Sequence, residues 1–348
     1  MQPVIAWKPI GNIGWPSSRL RAFLPYKYLR EVGWSCKIFD PNAIDSYDLV
    51  VFQKTYYDAE SLPLVKYLRN KGIKTVLDIC DNDFYNPNNR PHLQQRSENL
   101  QRMIDCVDAV SVSTPEIGKL IQGKEIVVVI DDAIDYPSSN FLTNSYLKLK
   151  SFYRNIKDNS FRVVWYGTNR TEPEDPPAGI IDVSTVLPFM EELHTELPLA
   201  LTIISNSKTL FEKYLSKASF PVKYYEWDSK SFPYLFKQND VCIIPINLNP
   251  FTICKTNNRL ALSLLLGVPV ISEKIPSYEE FSDFVLFSDW KNNLRKYALN
   301  RELRQQQVKE GRKYILSKYN RDRVIFQWSS LFQKLLNGNH FVDLDKKN

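Results

Sequence analysis

The sequence predicts an α/β protein built from two successive doubly wound halves, each a parallel sheet with helices packed on both faces. Three observations point there. Short β-branched runs alternate with amphipathic stretches along nearly the whole chain, the pattern of repeated βαβ units. That alternation falls into two series separated by a break. With 348 residues, 43% hydrophobic and 24% charged, the chain is long enough and apolar enough for two cores.

In the first series the strand candidates are Val4 to Trp7, Cys36 to Phe39, Leu49 to Gln53, Thr75 to Ile79, Ala109 to Ser113 and Ile126 to Ile130. Each is a short run of β-branched and apolar residues, as strands buried on both faces require. Between them, Arg19 to Val32, Leu62 to Lys71 and Gln94 to Cys106 carry apolar residues at helical spacing. Pro137, Ser138, Ser139 and Asn140 then break the pattern, so the join is placed at 136–160. The second series has strands at Arg162 to Tyr166, Leu201 to Ser205, Val222 to Tyr225, Val241 to Pro245, Val268 to Ile271 and Phe284 to Phe287. Helices at Val183 to Leu197, Lys208 to Ser216 and after Lys255 connect them. The halves are therefore two Rossmann-like domains, 1–150 and 158–320. Two terminal helices, Arg301 to Ser317 and Arg321 to Leu336, are separated at Tyr319-Asn320, and the chain frays after Asn337. No internal sequence repeat accompanies the repeated pattern.

Composition excludes several classes. The five cysteines are odd in number, widely spaced and mostly within apolar runs, which fits reduced thiols rather than disulfides or a zinc site. Met1 to Ile10 reads as a strand rather than a signal peptide, and no apolar run approaches the roughly 20 residues that span a bilayer. The expectation is a cytoplasmic protein, at most peripheral at the inner membrane surface. The net charge of +6 is modest, and no nucleic acid is expected as a partner. Tyr146 to Lys157 and Arg312 to Arg323 mix cations with aromatic rings. Such segments suit an anionic lipid surface, or a solvated helix face with its ring stems packed beneath.

The segment from Lys255 to Ser272, KTNNRLALSLLLGVPVIS, carries the most chemistry. Lys255, Thr256, Asn257, Asn258 and Arg259 crowd the first turn of an otherwise apolar helix, Gly267 ends it, and a buried strand follows. Backbone N–H groups at a helix start favour an anion, and Lys255 and Arg259 add charge, so a phosphate fits. In such sheets ligands lie beyond the carboxyl ends of the strands. There the first half offers Lys8 to Arg19, whose Gly11 and Gly14 permit close backbone approach, whose Ser17 or Ser18 can cap, and whose Arg19 can reach an anion. The second half offers Gly167, Thr168, Asn169 and Arg170 in the equivalent place. Asp81-Asn82-Asp83 follows a strand of the first half and reads three ways: acceptor-hydroxyl contacts or a base, a metal pair, or a plain turn. His92 is a minor candidate beside it. The insert TEPEDPPAG after Arg170 reads as a solvated surface turn, or as a loop that covers the adjacent site.

Taken in order, VVWYGT at 163–168, DVCIIPI at 240–246 and KTNNRLALSLLLGVPVI at 255–271 resemble the nucleotide-sugar half of GT-B glycosyltransferases, the large retaining group (family 4-like) in particular. YDLVVFQK at 47–54, KTVLDICDNDFY at 74–85, DAVSVSTPEIGKLI at 108–121 and VVVIDDAID at 127–135 resemble the acceptor-side domain of the same group. The resemblance implies two domains facing a central cleft, with the last helix, 321–337, packing back on the first. It implies sugar transfer from a nucleotide-sugar donor to an unidentified glycan, lipid or protein acceptor, with retention, no metal and no cofactor beyond the donor. Gly167 and Thr168 would approach the diphosphate; Lys255, Asn258 and Arg259 would stand by the donor's phosphates or sugar; Gly11 and Gly14 would line the acceptor side. One departure stands out. Cys254 and Leu262 occupy the positions of the group's two glutamates, the second of which holds the ribose; Glu273 or Glu226 could serve instead. Two other readings belong to different classes: a binding or scaffold protein that has lost catalysis, and a nucleotide-sugar epimerase.

Overall fold

The structure, a computed structural model, describes residues 2–134, 160–169 and 178–336. Tyr146 to Lys157, Arg170 and the 171–177 part of the insert lie outside them. The chain divides into two units. Among the described residues, one contains 2–134, Ile253–Thr256 and 318–336, and the other the rest.

In the first unit the strands are β1 (Val4–Pro9), β2 (Ser35–Ile38), β3 (Leu49–Gln53), β4 (Lys74–Ile79), β5 (Ala109–Val112) and β6 (Val127–Val129). They form one sheet in the order β2-β1-β3-β4-β5-β6, parallel throughout. Strand side chains alternate between faces. Ile5, Trp7, Leu49, Val51 and Val76 therefore point to one core, closed by Ala22, Leu29 and the Arg321–Leu335 helix. Ala6, Val50, Phe52 and Leu77 point to the other, closed by the Ser61–Asn70 and Pro91–Cys106 helices. The terminal helix is part of this unit's core: Trp328 meets Trp7 edge to face at 4.7 Å, and Ser329 accepts from the Trp34 indole at 2.9 Å.

The first helix is longer than its periodicity predicts, starting at Pro16, and it widens to π-helical winding over Arg19–Phe23. Pro25 is the cause: without an N–H it cannot close an ordinary turn, and the Leu24 N–H reaches back to the Arg19 carbonyl instead. The bulge delivers Arg21, fully buried, to Asp78 on β4, which also accepts from Ser111 at 2.7 Å. This paired, hydrogen-bonded charge joins helix to sheet.

The second unit's strands are β7 (Phe161–Gly167), β8 (Leu199–Ser205), β9 (Val222–Glu226), β10 (Val241–Ile244), β11 (Val270–Ser272) and β12 (Leu286–Phe287). Their order is β12-β11-β10-β7-β8-β9, again all parallel. The single helix expected over Val183 to Leu197 is two, Ile180–Ser184 and Leu187–His194. Pro188 has no N–H for the Ser184 carbonyl and its ring would clash there, so one helix ends and the next begins with Pro188 in its first turn. The Trp290–Leu299 helix, not foreseen, packs Trp290, Leu294 and Tyr297 into the same core. None of the five cysteines is in a disulfide. No helix among the described residues is long and apolar enough to cross a membrane. Tyr314 of the 312–323 stretch packs inward on Phe281 and Phe284 and donates to Glu280 at 2.6 Å, as expected of an aromatic stem beneath a solvated helix face.

Candidate functional site

In the second unit the connections run from β7 toward β8 on one side and from β10 toward β11 on the other, so the loops after β7 and β10 diverge. Such a switch point leaves a crevice at the carboxyl ends of the strands. Gly167 stands there. A Cβ on it would lie 2.9 Å from the Trp165 ring and 3.4 Å from the Arg259 guanidinium, so only glycine lets the strand end pass beneath that cation. Arg259 is locked by its own backbone and side chain: its carbonyl accepts from Tyr166 at 2.9 Å and from Ser263 at 2.7 Å, and its Nη1 donates to the Tyr166 carbonyl at 3.3 Å. Burial pushes the Tyr166 phenol well up, so it stays a donor.

Thr168 is exposed, whereas Asn169 is buried and engaged. Its amide donates to Ser205 at 2.6 Å and accepts from Ile180 at 2.9 Å, which ties the β7 loop to β8 and to the next helix. Gly179, with φ of +102°, begins that helix, and Asp182 accepts its N–H at 3.0 Å. Sequence reasoning missed Asp182. Its spacing three residues after a helix start is the capping signature that could have found it. Burial raises its pKa to about 6, while the Gly179 N–H and the Arg259 charge pull the other way.

The helix of the KTNNRL segment is Asn258–Leu265, with Asn257 at its cap making no side-chain cap bond. Asn258 and Arg259 are thus its first residues, but Lys255 and Thr256 precede it. This corrects the placement of Lys255 in the first turn. The reason is packing: the Cys254 side chain is buried in the first unit's core, its carbonyl accepts from Thr114 at 3.1 Å, and the helix cannot start until the chain leaves that anchor. Glu273, at the end of β11, accepts from Ser288 at 2.7 Å and from the Trp290 indole at 2.9 Å. Glu226 accepts from Tyr224 at 2.5 Å.

In the first unit the switch falls between β1 and β3. The glycine loop after β1 is braced from within. Gly11 donates to Ser18 at 3.1 Å, Gly14 donates to Asn12 at 2.9 Å, and Arg19 turns back onto the carbonyls of Ile13 and Gly14 at 3.3 and 3.4 Å. Gln53, at the end of β3, accepts from both the Ile10 N–H and the Ser18 hydroxyl at 3.3 Å, so it suspends the loop from the sheet. His92 lies apart, exposed in the first turn of the Pro91–Cys106 helix.

After β3 and β4 the loops meet in a charge cluster. Lys54 pairs with Asp81 and lies 3.6 Å from Asp83; Asp81 also pairs with Lys255. Asp83 accepts from the Tyr57 hydroxyl at 2.9 Å and from Tyr56 at 2.5 Å, with Arg96 at 3.5 Å and stacked 4.3 Å from the Tyr57 ring. Burial alone would raise the Asp81 pKa, but the Lys255 and Lys54 charges outweigh it and hold the carboxyl well below the usual range. A carboxylate so stabilised is a weak base. Each Asp81 oxygen is thus engaged by a lysine, and Asp83 is occupied by its tyrosines. Lys54, Tyr56, Tyr57 and Arg96 were missed because lysine and tyrosine near a strand end look like ordinary surface residues.

No family model matches the chain, and no curated protein matches its sequence. Solved structures do match in three dimensions. A structure of Anabaena Alr3699/HepE in complex with UDP and glucose is 11% identical and covers 96% of this chain and 100% of its own, with a TM-score of 0.66. A glycosyltransferase from Rickettsia africae ESF-5 is 12% identical, covering 97% and 100%, with a TM-score of 0.67. An α,α-trehalose-phosphate synthase (UDP-forming) from Burkholderia vietnamiensis is 10% identical, covering 95% and 96%, with a TM-score of 0.58. Likeness over this much of the chain, at identities this low, is a likeness of architecture. With its two parallel six-stranded sheets, the chain has the GT-B fold of these structures.

Proposed function

We propose that the protein is a glycosyltransferase that moves a sugar from a nucleotide-sugar donor to a glycan, lipid or protein acceptor, with retention and without a metal ion. The observation that carries this reading is Arg259 held over Gly167 at the second unit's switch point, at the start of a helix whose cap makes no side-chain bond. As the sugar's anomeric C–O bond breaks, charge grows on the departing diphosphate. A fixed guanidinium and backbone N–H groups are aimed where that charge develops, and fixed dipoles stabilise such a transition state without reorganising. Thr168, Lys255, Asn258 and Arg170 are assigned to the same donor, Lys255 to its phosphates. Gly11, Gly14, Ser18 and Arg19, which share the loop after β1, are assigned to the acceptor side; His92, which lies apart from them, is not.

The nucleoside needs an anchor other than the missing glutamates, because position 254 is a buried cysteine and position 262 a leucine. We assign Glu273. Its two oxygens are held in place by Ser288 and Trp290, yet each retains a lone pair for a ribose hydroxyl. Structures of HepE with UDP and glucose, and with UDP-glucose, make uridine donors the first to test.

The test is turnover of a uridine-diphosphate sugar panel with product stereochemistry read by NMR. Release of nucleoside diphosphate with the anomeric configuration kept supports the proposal; inversion removes the retention claim, and an epimerised sugar nucleotide without any acceptor replaces transfer by epimerisation. Saturable donor binding with no turnover against any acceptor would favour a second reading, a binding protein, which the buried cysteine and leucine at 254 and 262 favour.

A further inference from the structure

Lys54 closes the YDLVVFQK segment, to which no chemistry was assigned, yet its environment is unusual. It is a non-glycine residue with φ of +58°, it is only 9% exposed, and its ammonium lies between two carboxylates. Left-handed backbone at a lysine persists only where the surroundings hold it there, and such outliers concentrate at working sites. What holds it is visible. The Lys54 N–H donates to the Asp78 carbonyl at 3.0 Å, and its side chain passes over the Tyr57 ring at 5.4 Å to reach Asp81. The signs then alternate across five side chains: Arg96, Asp83, Lys54, Asp81, Lys255. Four of these side chains are largely buried, and Lys255, with 37% of its side chain exposed, is the accessible end.

We propose that Lys54 and Asp81 are positioning residues for Lys255: Asp81 fixes the Lys255 ammonium through one carboxylate oxygen, and Lys54, on the other oxygen, sets how strongly. This rests on the assignment of Lys255 to the donor's phosphates and extends it. Lys255 is anchored twice, at its backbone by the Thr114 bond to Cys254 and at its tip by Asp81, three residues before the Asn258–Leu265 helix that carries Arg259. A long flexible lysine held at both ends loses little further freedom when an anion arrives, and such preorganisation favours binding. Lys54 keeps the arrangement from being too strong. Sharing Asp81 with a second cation weakens its attraction for Lys255, so the ammonium stays available to a phosphate. Lys54 also leaves Asp81 compensated when Lys255 turns to that phosphate, since a buried carboxylate without a partner is costly.

The two partners therefore act on Lys255 in opposite directions, which a merely structural role for either would not produce. The experiment is competitive amine acetylation of the full-length chain with an N-hydroxysuccinimide ester, with the rate at Lys255 read by peptide mass spectrometry. Three chains are compared: wild type, Asp81→Asn and Lys54→Met. Asp81→Asn is expected to speed Lys255 modification about tenfold, the change that loss of one charge-assisted hydrogen bond tethering the ammonium produces, and Lys54→Met to slow it. Rates that move in the same direction in both variants, or that do not change, overturn the proposal. If Asp81→Asn does not fold, Asp81→Glu replaces it, with restored protection expected, and Lys54→Met still reads the opposite sign. The companion measurement is donor turnover: Asp81→Asn should raise the donor KM more than it lowers kcat. Faster turnover would mean that Asp81 holds Lys255 out of reach, which overturns the proposal. A wild type that turns over no nucleotide sugar counts against the proposed function alone, because the acetylation rates are read without substrate.

Discussion

Replacing Asp182 by asparagine tests the electrostatics around Arg259 through a quantity that can be worked out in advance. The carboxyl is 5% exposed, and burial raises its pKa from 3.8 to about 6 against the opposing pull of the Gly179 N–H and Arg259. A folded-state pKa above the unfolded one means that the native protein holds this proton more tightly than the unfolded chain does. The group's stabilising contribution is therefore complete below about pH 4 and is lost as pH rises toward about 6. A shift of about two units, at about 1.4 kcal/mol each, makes the loss up to about 3 kcal/mol at neutral pH. Asparagine can still accept the Gly179 N–H through Oδ1 but carries no charge. Urea unfolding of both chains at pH 4, 5, 6 and 7.5 isolates the residue, because every other titrating group is common to the two. The variant should gain on the wild type progressively from pH 4 to pH 7.5, by up to about 3 kcal/mol. A stability difference that is flat across that range refutes the reasoning. A variant that loses ground as pH rises would mean that Arg259 dominates and the sign is reversed.

Two further substitutions test the geometry around the proposed site and the placement of the last helix. Gly167→Ala puts a methyl 2.9 Å from the buried Trp165 ring, so overpacking of about 1–3 kcal/mol is expected in chemical denaturation, together with weaker nucleoside-diphosphate binding as Arg259 is displaced. Unchanged stability and binding would remove Gly167 from the site. Trp328→Ala empties a fully buried position against Trp7, and a loss of about 3–5 kcal/mol is expected in urea unfolding. A loss below 1 kcal/mol would show that the terminal helix is not part of the first unit's core.

The strands were legible because parallel sheets bury both faces, which writes runs such as Leu49 to Phe52 and Val241 to Ile244 directly into the sequence. Proline effects were legible in kind but not in consequence. Pro188 splits a helix, and Pro25 forces the wide turn that buries Arg21 against Asp78, a pairing across 57 residues that no local pattern announces. Gly167 and Arg259 were legible as candidates because glycines and helix starts have local signatures, and the structure brings the two together. The start of the helix itself was misplaced by three residues, because what delays it is Cys254 packed among distant residues, not anything within the segment. Lys54, Tyr56, Tyr57 and Arg96 escaped for the same reason: each is ordinary alone, and only the sheet brings them around Asp81 and Asp83. Asp81 and Asp83 themselves were found by spacing, but their occupation by cations and tyrosine hydroxyls was not foreseeable.

The central claim, that the crevice at Gly167 and Arg259 binds a donor diphosphate, is tested most directly by calorimetric titration of UDP into the wild type and into Arg259→Ala. Charge-assisted hydrogen bonds contribute about 1.5–3 kcal/mol, and each 1.4 kcal/mol is about tenfold in affinity. The wild type should therefore give a saturable heat and the variant a Kd raised by about ten- to a hundredfold. Equal affinity in the two chains, or no saturable heat with UDP, ADP or GDP in the wild type, would contradict the account.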